Sequence, residues 1–466
     1  MSDTVPAPDL CHDAIIIGGG VIGCAIARRL TLEGWHVVLL EKAADILDGA
    51  SKANSAILHT GFDAPTGSLE QKCVADGYAE YIDIHKRLNL PLDRAGALVI
   101  AWNDAEEAAL PALMDQARAN GVSDIAPLSA DQTRALEPEL GRGVRASFRV
   151  PREYLVDPWS APYAYLMQAM VNGAHVVRGC AVTGGTYDGD HWQLDTTRGA
   201  VRGRVVINAA GLYGDRVDTM LIGQSGFTIR PRKGQFVVFD KPAAALTRHI
   251  LLPVPNKVTK GIVVCRTIWG NLLVGPTAEE QDDRDTATLD PATLDTLRQR
   301  GAEILPALAG HEVTALYAGL RPASEFKDYQ ISAHSDRAYI SVGGIRSTGL
   351  SSALGTARYV HGLCAKLIDR TPLPAPRWPQ VPNLAEAGAR DWQCAGNGGI
   401  VCHCEQVTRR DIETALSGPL PAASLAGLKR RTRVTMGRCQ GNYCVAPLAD
   451  ITRDRLDQPI SGDTDG

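Results

Sequence analysis

The chain has 466 residues, too many for one ordinary core and enough for two to four structural units. Its 48 Lys and Arg against 52 Asp and Glu give a formal charge of -4, so no basic field exists to hold nucleic acid, which is excluded as a partner. The opening MSDTVPAPDL lacks the cationic start and apolar run of a secretory signal, and no stretch approaches the ~18 apolar residues that span a bilayer.

Such a chain is expected in the cytoplasm, with any membrane association peripheral and through a partner. In that compartment 11 cysteines, an odd number, read as free or metal-bound thiols rather than disulfides. Scattered ones such as Cys24 and Cys180 read as small buried residues.

DAIIIGGGVIGCAIARRLTLEGWHVVLLEK, from Asp13, predicts strand, glycine turn, helix and strand, the start of a parallel α/β sheet. Helical stretches follow (SLEQKCVADGYAEYIDIHKRL, DAEEAALPALMDQARANG, SAPYAYLMQAMVNG), alternating with short strands such as GALVIAW, HWQLDTT and RVVINAAG. QFVVFD, GIVVCRT and NLLVGPT predict a mixed sheet between about 225 and 335, and AYISVGG with SALGTARYVHGLCAKLI a late return to the first domain. TPLPAPRWPQVPN, 371–383, is proline-rich and reads as an extended linker.

Gly18, Gly20 and Gly23 follow the first strand and open the helix, and Glu41 ends the next strand 23 residues after Gly18. Glycines let the backbone approach a pyrophosphate, the helix start offers free N–H groups, and the acid accepts from a ribose hydroxyl. The carboxylate argues against a 2′-phosphate and leaves FAD or NAD.

VVINAAGLYGD, with Asn208, Ala209, Ala210 and Gly211, resembles the second flavin-contact strand of glutathione-reductase-like flavoproteins. NSAILHTGFDAPTGSLEQKCVADG, EYLVDPWSAPYAY, GNLLVGPTAEEQDD, YAGLRPAS and VGGIRSTGLSSALG extend the likeness from residue 12 to about 370. The chain resembles FAD-dependent oxidoreductases of the D-amino-acid-oxidase superfamily, in the branch of glycerol-3-phosphate and L-2-hydroxyglutarate dehydrogenases. The resemblance implies FAD, and a second glycine turn, Gly343, Gly344 and Gly349, leading through Leu350 into a helix aimed at the flavin ring. A helix start there would stabilise negative charge on reduced flavin. Ser51, Asn54 and Ser55 match the family's turn beside the flavin phosphates and ring.

A flavin that oxidises an alcohol needs a base for the hydroxyl proton and a grip on the substrate. His59 in ILHTGFD is the candidate base, against a structural histidine. Arg321 in GLRPAS matches the superfamily's substrate anchor, and its planar fork suits carboxylate or phosphate, against a structural ion pair. Arg346 in GIRSTGL is a second anion clamp or a flavin contact. Lys233, Lys260 and Tyr317 are weaker candidates, read as solvated charges and a packed ring. Two cations favour a dianion, so glycerol 3-phosphate leads, with L-2-hydroxyglutarate or another 2-hydroxy acid, or an amine or amino acid, as alternatives. A scaffold that only senses redox state is a further alternative. The loop HTGFDAPTGS looks more like the hydroxyglutarate branch.

VCHCEQVT places Cys402 and Cys404 one residue apart, and GRCQGNYC places Cys439 and Cys444 after 34 intervening residues. The set suits an iron–sulfur cluster, a zinc site or unrelated thiols, with C-x-C spacing unusual for zinc. VCHCEQVTRRDIETAL and LKRRTRVTMGRCQGNYC resemble the bacterioferritin-associated-ferredoxin-like domain, which implies a 2Fe-2S cluster on those four cysteines. Metal ligation would also stabilise so small a core. Arg430, Arg431, Arg433 and Arg438 then lie near an anionic cluster, as a solvated basic face, as tuners of its potential or as docking points for an acidic partner.

The expected fold is α/β: a glutathione-reductase-like Rossmann FAD domain, a mixed-sheet substrate domain and a small C-terminal iron–sulfur domain. Residues 1–370 form the oxidoreductase, with FAD segments near 12–70, 150–225 and 335–370 and substrate segments near 71–150 and 225–335. Residues 371–390 are the linker and 391–466 the cluster domain. The expected activity is oxidation of a small anionic secondary alcohol. Electrons are expected to leave through the cluster to an acceptor such as a quinone-linked partner, which would make the assembly a hetero-oligomer.

Overall fold

The computed structural model describes residues 10–255 and 261–460. The strand Cys11–Ile17 is buried from His12 onward, and continuous burial marks a strand covered on both faces. It lies mid-sheet, parallel to Val37–Leu40 on one side and to Val201–Asn208 on the other, with His175–Val177 beyond Val37–Leu40. The far edge of Val201–Asn208 serves two partners. Its first half pairs antiparallel with Trp192–Thr196, and Val206 to Asn208 pair parallel with Tyr339–Gly343. That division returns the late segment to the first sheet, as the sequence predicts.

Helices Val21–Leu32, Ser160–Val171 and Gly349–Cys364 share one core with this sheet. Leu69–Ile84 joins them. A Cβ on Gly77 would fall 2.2 Å from the Ser351 carbonyl oxygen, and one on Gly355 2.1 Å from that of Cys73, so these two helices meet backbone to backbone. The helix expected in the substrate segment from 71 onward therefore packs with the FAD layer. Gln330–His334 also pairs with Tyr339–Gly343, so the first sheet resumes before residue 335.

The second sheet runs from the long pair Ile229–Phe239 and Val313–Ser324 through Leu272–Gly275, Val263–Arg266, Ile250–Pro253, Ala97–Ala101 and Ala146–Val150 to Ala126–Ser129. Alternate residues of Ala97–Ala101 enter different cores, Ala97, Val99 and Ala101 on one face and Leu98 and Ile100 on the other. The strands between 229 and 324 thus share a covered sheet with Ala97–Ala101 and Ala146–Val150.

Residues 371–390 are not a free linker. The Leu373 N–H donates to the Leu32 carbonyl, Val381 exchanges bonds with Leu88 and Asn89, and the Glu386 N–H donates to the Ile268 carbonyl. Val381 and Leu384 are buried, and Arg87 stacks 3.5 Å over Trp378. The segment is a strap fixed to both preceding domains. After it, Ile400–Cys402, Val407–Thr408 and helices Arg409–Ala415, Leu425–Thr432 and Val445–Thr452 enclose a small core that includes Cys402 and Cys444. Among the described residues no helix is long and apolar enough to cross a membrane.

Candidate functional site

Gly18 has φ +109°, and a Cβ there would lie 2.6 Å from the Ala209 carbonyl oxygen; one on Gly23 would lie 1.9 Å from that of Gly18. Only glycine lets strand, turn and helix close this tightly. The helix Val21–Leu32 starts at Gly20 with no side-chain cap from its N-cap residue, whereas Ser68 and Asn103 cap theirs, which leaves its start open to an anion beyond the one amide that Ser51 takes. Ser51 Oγ sits there, accepting from the Val21 N–H at 3.0 Å. The two Glu41 oxygens accept from the Gly19 N–H at 2.6 Å and the Ala43 N–H at 2.8 Å, which leaves each a lone pair for a ribose hydroxyl. Burial pushes this carboxyl up against the pull of those amides. Ala210 and Gly211, φ +55°, close the neighbouring turn.

Next along the chain from Ser51, Asn54 holds its own turn by accepting from the Ala56 N–H at 2.7 Å. The second sheet lies directly against this turn: Ala53 Cβ is 2.4 Å from where a Gly319 Cβ would stand, Tyr317 Oη donates to the Asn54 carbonyl at 2.8 Å, and the Ser55 carbonyl faces Cys265 Sγ. Gly344, φ +68°, turns the chain out of Tyr339–Gly343 towards the uncapped start of Gly349–Cys364, whose first turn carries Leu350. Thr348 gives no cap because its hydroxyl donates to buried Glu70 at 2.7 Å.

His59 follows the same turn. Its Nδ1 is 2.7 Å from Glu153 Oε2, and Glu153, fully buried, also accepts from the Thr60 N–H and Oγ1 at 2.6 and 2.7 Å. A carboxylate offers only lone pairs, so Nδ1 carries the proton and Nε2 is the accepting nitrogen. The His59 ring keeps 22% exposure. Glu153 is the residue that sequence reasoning missed.

Arg321 donates to the Thr277 carbonyl at 2.9 Å and, among the described residues, has no carboxylate partner. Burial first, then the charge of Arg232, lowers it to about 10. It leans over Gly234, where a Cβ would sit 2.4 Å from Nη2. The weaker candidates resolve otherwise: Lys233 pairs with Glu279 at 3.1 Å, Tyr317 stacks on Phe236 at 4.6 Å, and Lys260 lies outside the described residues. Arg346, half-buried in the turn after Gly344, donates to the Lys327 carbonyl, whereas Arg321 lies on the strand Val313–Ser324.

Far along the chain, the thiols meet as two pairs, Cys404 with Cys439 and Cys402 with Cys444, and each pair lies within the other's field. Among the described residues they do not form one closed set of three or more ligands. Gly437 permits the approach, since its Cβ would fall 2.2 Å from that of Cys404. The Tyr443 amide first, then the Cys404 thiol and the Gly441 and Asn442 amides, hold the Cys439 thiol below its usual range.

The family model of the FAD dependent oxidoreductases, DAO, matches residues 13–363. The chain belongs to that family. In this FAD-dependent oxidoreductase a second model, the BFD-like 2Fe-2S binding domain, matches residues 400–453. The glycerol 3-phosphate dehydrogenase of Caloramator mitchellensis is 31% identical over 453 residues, 95% of this chain and 94% of that protein. One subunit of the anaerobic glycerol-3-phosphate dehydrogenase of Escherichia coli is 26% identical, spanning 94% of this chain and 87% of that one. The solved, dithionite-reduced L-alpha-glycerophosphate oxidase of Mycoplasma pneumoniae with FAD bound shares the fold with a TM-score of 0.74 at 28% identity, over 80% of this chain and 99% of that one.

The residues of the flavoprotein fit both groups. Closed glycine turns, the helix start and the Glu41 lone pairs suit a dinucleotide, and two adjacent thiol pairs with amides on Cys439 suit a cluster whose two irons each take two thiolates. Arg430, Arg431 and Arg433 of the cluster domain are buried, against the expectation of a solvated basic face, whereas Arg438 stays 67% exposed. Arg431 makes bonds of 2.7 and 2.8 Å to buried Asp45 of the FAD domain, Arg430 donates to the Ile46 carbonyl at 2.9 Å, Arg433 pairs with Glu405 at 2.7 Å, and Arg438 pairs with Asp240 of the substrate domain. Arg178 adds 2.6 Å to the Pro421 carbonyl. Arg430, Arg431, Arg438 and Arg178 dock the cluster domain onto the rest of the chain, while the Arg433–Glu405 pair lies within it.

Proposed function

We propose that this flavoprotein oxidises the secondary alcohol of glycerol 3-phosphate to the ketone, and that the observation carrying this is Arg321: a largely buried guanidinium that, among the described residues, is held by one carbonyl and faces no acid. Desolvating a cation without a carboxylate is unfavourable unless an anion completes the site, and a phosphate ester offers the fork two oxygens. His59 Nε2 accepts the hydroxyl proton, while Glu153 fixes the ring's tautomer and orientation and stabilises the imidazolium that forms. Bound FAD supplies the hydride acceptor and the 2Fe-2S cluster a one-electron outlet. Gly18, Gly20, Gly23, Glu41, Ser51, Asn54, Ser55, Ala210, Gly211, Gly344, Gly349 and Leu350 form the FAD site, and Cys402, Cys404, Cys439 and Cys444 hold the cluster. Arg346 serves the ring-facing turn by bracing it to Lys327.

Likeness to the Escherichia coli relative, itself one subunit of an enzyme, supports an acceptor that is another protein chain, and so a hetero-oligomer. The test is anaerobic: add glycerol 3-phosphate to the FAD-loaded protein and follow the flavin band near ~450 nm, with L-2-hydroxyglutarate in parallel. Bleaching by glycerol 3-phosphate alone is expected; bleaching by the hydroxy acid alone would transfer Arg321 to a carboxylate.

A further inference from the structure

The FAD domain, the substrate sheet and the cluster domain meet at one side chain. Trp269 stands at the tip of the hairpin joining Val263–Arg266 to Leu272–Gly275, where Thr267 and Asn271 close the turn and Gly270 has φ +84°. One face stacks on Trp159, with ring centroids 4.8 Å apart and planes at 21°. The Arg433 guanidinium lies 4.3 Å from the ring centroid. Trp159 donates its indole N–H to the Lys52 carbonyl, next to Ser51 of the flavin turn, and Arg433 is bonded to Glu405, the residue after Cys404. The strap closes over the joint, since Leu384 and Ala385 pack with Ile268 and Trp269.

Packing alone does not account for a tryptophan here. Trp269 is 6% exposed, and its indole N–H is buried with no acceptor among the described residues. An apolar side chain would fill the place without that unsatisfied donor. What the indole adds is a broad flat face for a second ring and for a cation.

We infer that Trp269 is the positioning residue that holds the cluster domain in electron-transfer register with the flavin site, through the contact series Lys52, Trp159, Trp269, Arg433 and Glu405. The inference rests on the reading that electrons leave by the cluster: each electron given up by reduced flavin is gained by oxidised cluster, and no proton need cross the joint.

The test uses the full chain loaded with FAD and cluster, made anaerobic, with flavin reduced by a light flash and EDTA as electron donor. This removes dependence on the substrate. Trp269→Leu is expected to slow cluster reduction about tenfold or more, and Trp269→Phe, which keeps a stacking ring, by no more than about threefold. Trp159→Leu, which removes the stack from the other domain, is expected to match Trp269→Leu, so the test survives if one variant fails to fold. Iron per chain, the electron-paramagnetic signal of the chemically reduced cluster and both midpoint potentials are expected to stay unchanged. Cluster reduction at the unsubstituted rate in Trp269→Leu would overturn the inference. So would slowing accompanied by lost iron or a shifted potential, because Trp269 would then act on the cluster itself. If the unsubstituted protein never passes electrons from flavin to cluster, the exit reading fails, and the inference falls with it.

Discussion

Two regions of the molecule use arginine in opposite ways. At the joint, Arg431, Arg430 and Arg433 are buried and each meets a carboxylate, on Asp45, Asp48 and Glu405. In the substrate region Arg321 is also largely withdrawn from water but, among the described residues, meets the Thr277 carbonyl and no carboxylate. A buried ion pair whose partners are both supplied by the chain is complete and holds parts together. A guanidinium whose counter-charge is left out is arranged for a ligand that brings it. On the proposed function, the difference would separate structural from substrate-binding cations without reference to where they fall in the sequence.

The sharpest break of the comparison is at the cysteines. Cys404→Ser is expected to abolish bound iron, measured as iron and sulfide per chain, and because Cys402 and Cys444 belong to the small core, stripping the iron should also destabilise residues 391–460 alone. Next comes the reacting centre. His59→Gln should lower kcat on the order of 10²- to 10⁴-fold with little change in glycerol 3-phosphate KM, and Glu153→Gln should lower kcat by freeing the ring to take the other tautomer.

Asp45→Asn should cost about 3–5 kcal/mol of docking stability, because it leaves Arg431 buried without its charge, and is read as early loss of the cluster domain in denaturant. Its pH dependence has a definite sign. Burial raises the Asp45 carboxyl, but Arg431, then Arg178 and the Ala423 amide, outweigh it and hold it below 3.8. The contribution is therefore full above the unfolded value of 3.8 and is lost as pH falls through the lower folded value. Undocking measured against pH should follow that course in the unsubstituted protein and vanish in Asp45→Asn.

At the substrate site, Arg321→Gln should raise KM about 10- to 100-fold, in keeping with a lost charged hydrogen bond, while kcat falls less. The smallest effect is at Gly234. An alanine there pushes the Arg321 guanidinium off its rotamer, at about 0.5–1.5 kcal/mol, so KM should rise by less than about tenfold.

The dinucleotide site was legible because its requirements act on neighbours in sequence: Gly18, Gly20 and Gly23 fit a turn between adjacent elements, and Glu41 ends the next strand. The approach of Cys402, Cys404, Cys439 and Cys444 was legible because paired thiols in a short stretch already suggest a shared ligand. Glu153 was not, since it lies 94 residues from His59 in a loop, and nothing local in VPREYLVD marks a carboxylate as buried. The joint was hidden for the same reason: Arg431 and Asp45 are 386 residues apart. Residues 371–383 carry neither helix nor strand, and buried Val381 and Leu384 are what fasten the segment; two apolar residues three apart are too few to register as a packed element in the sequence. Leu69–Ile84 was placed with the wrong neighbours because close approach at Gly77 and Gly355 is a property of two helices together.

The most direct test of the contrast between paired and unpaired arginines is a titration of the FAD-loaded protein with inorganic phosphate, unsubstituted and as Arg321→Gln, following the flavin spectrum without turnover. Saturable perturbation in the unsubstituted protein that is lost in Arg321→Gln is the predicted result. Equal phosphate binding by both proteins, or none by either, would contradict the claim that Arg321 awaits the substrate's dianion.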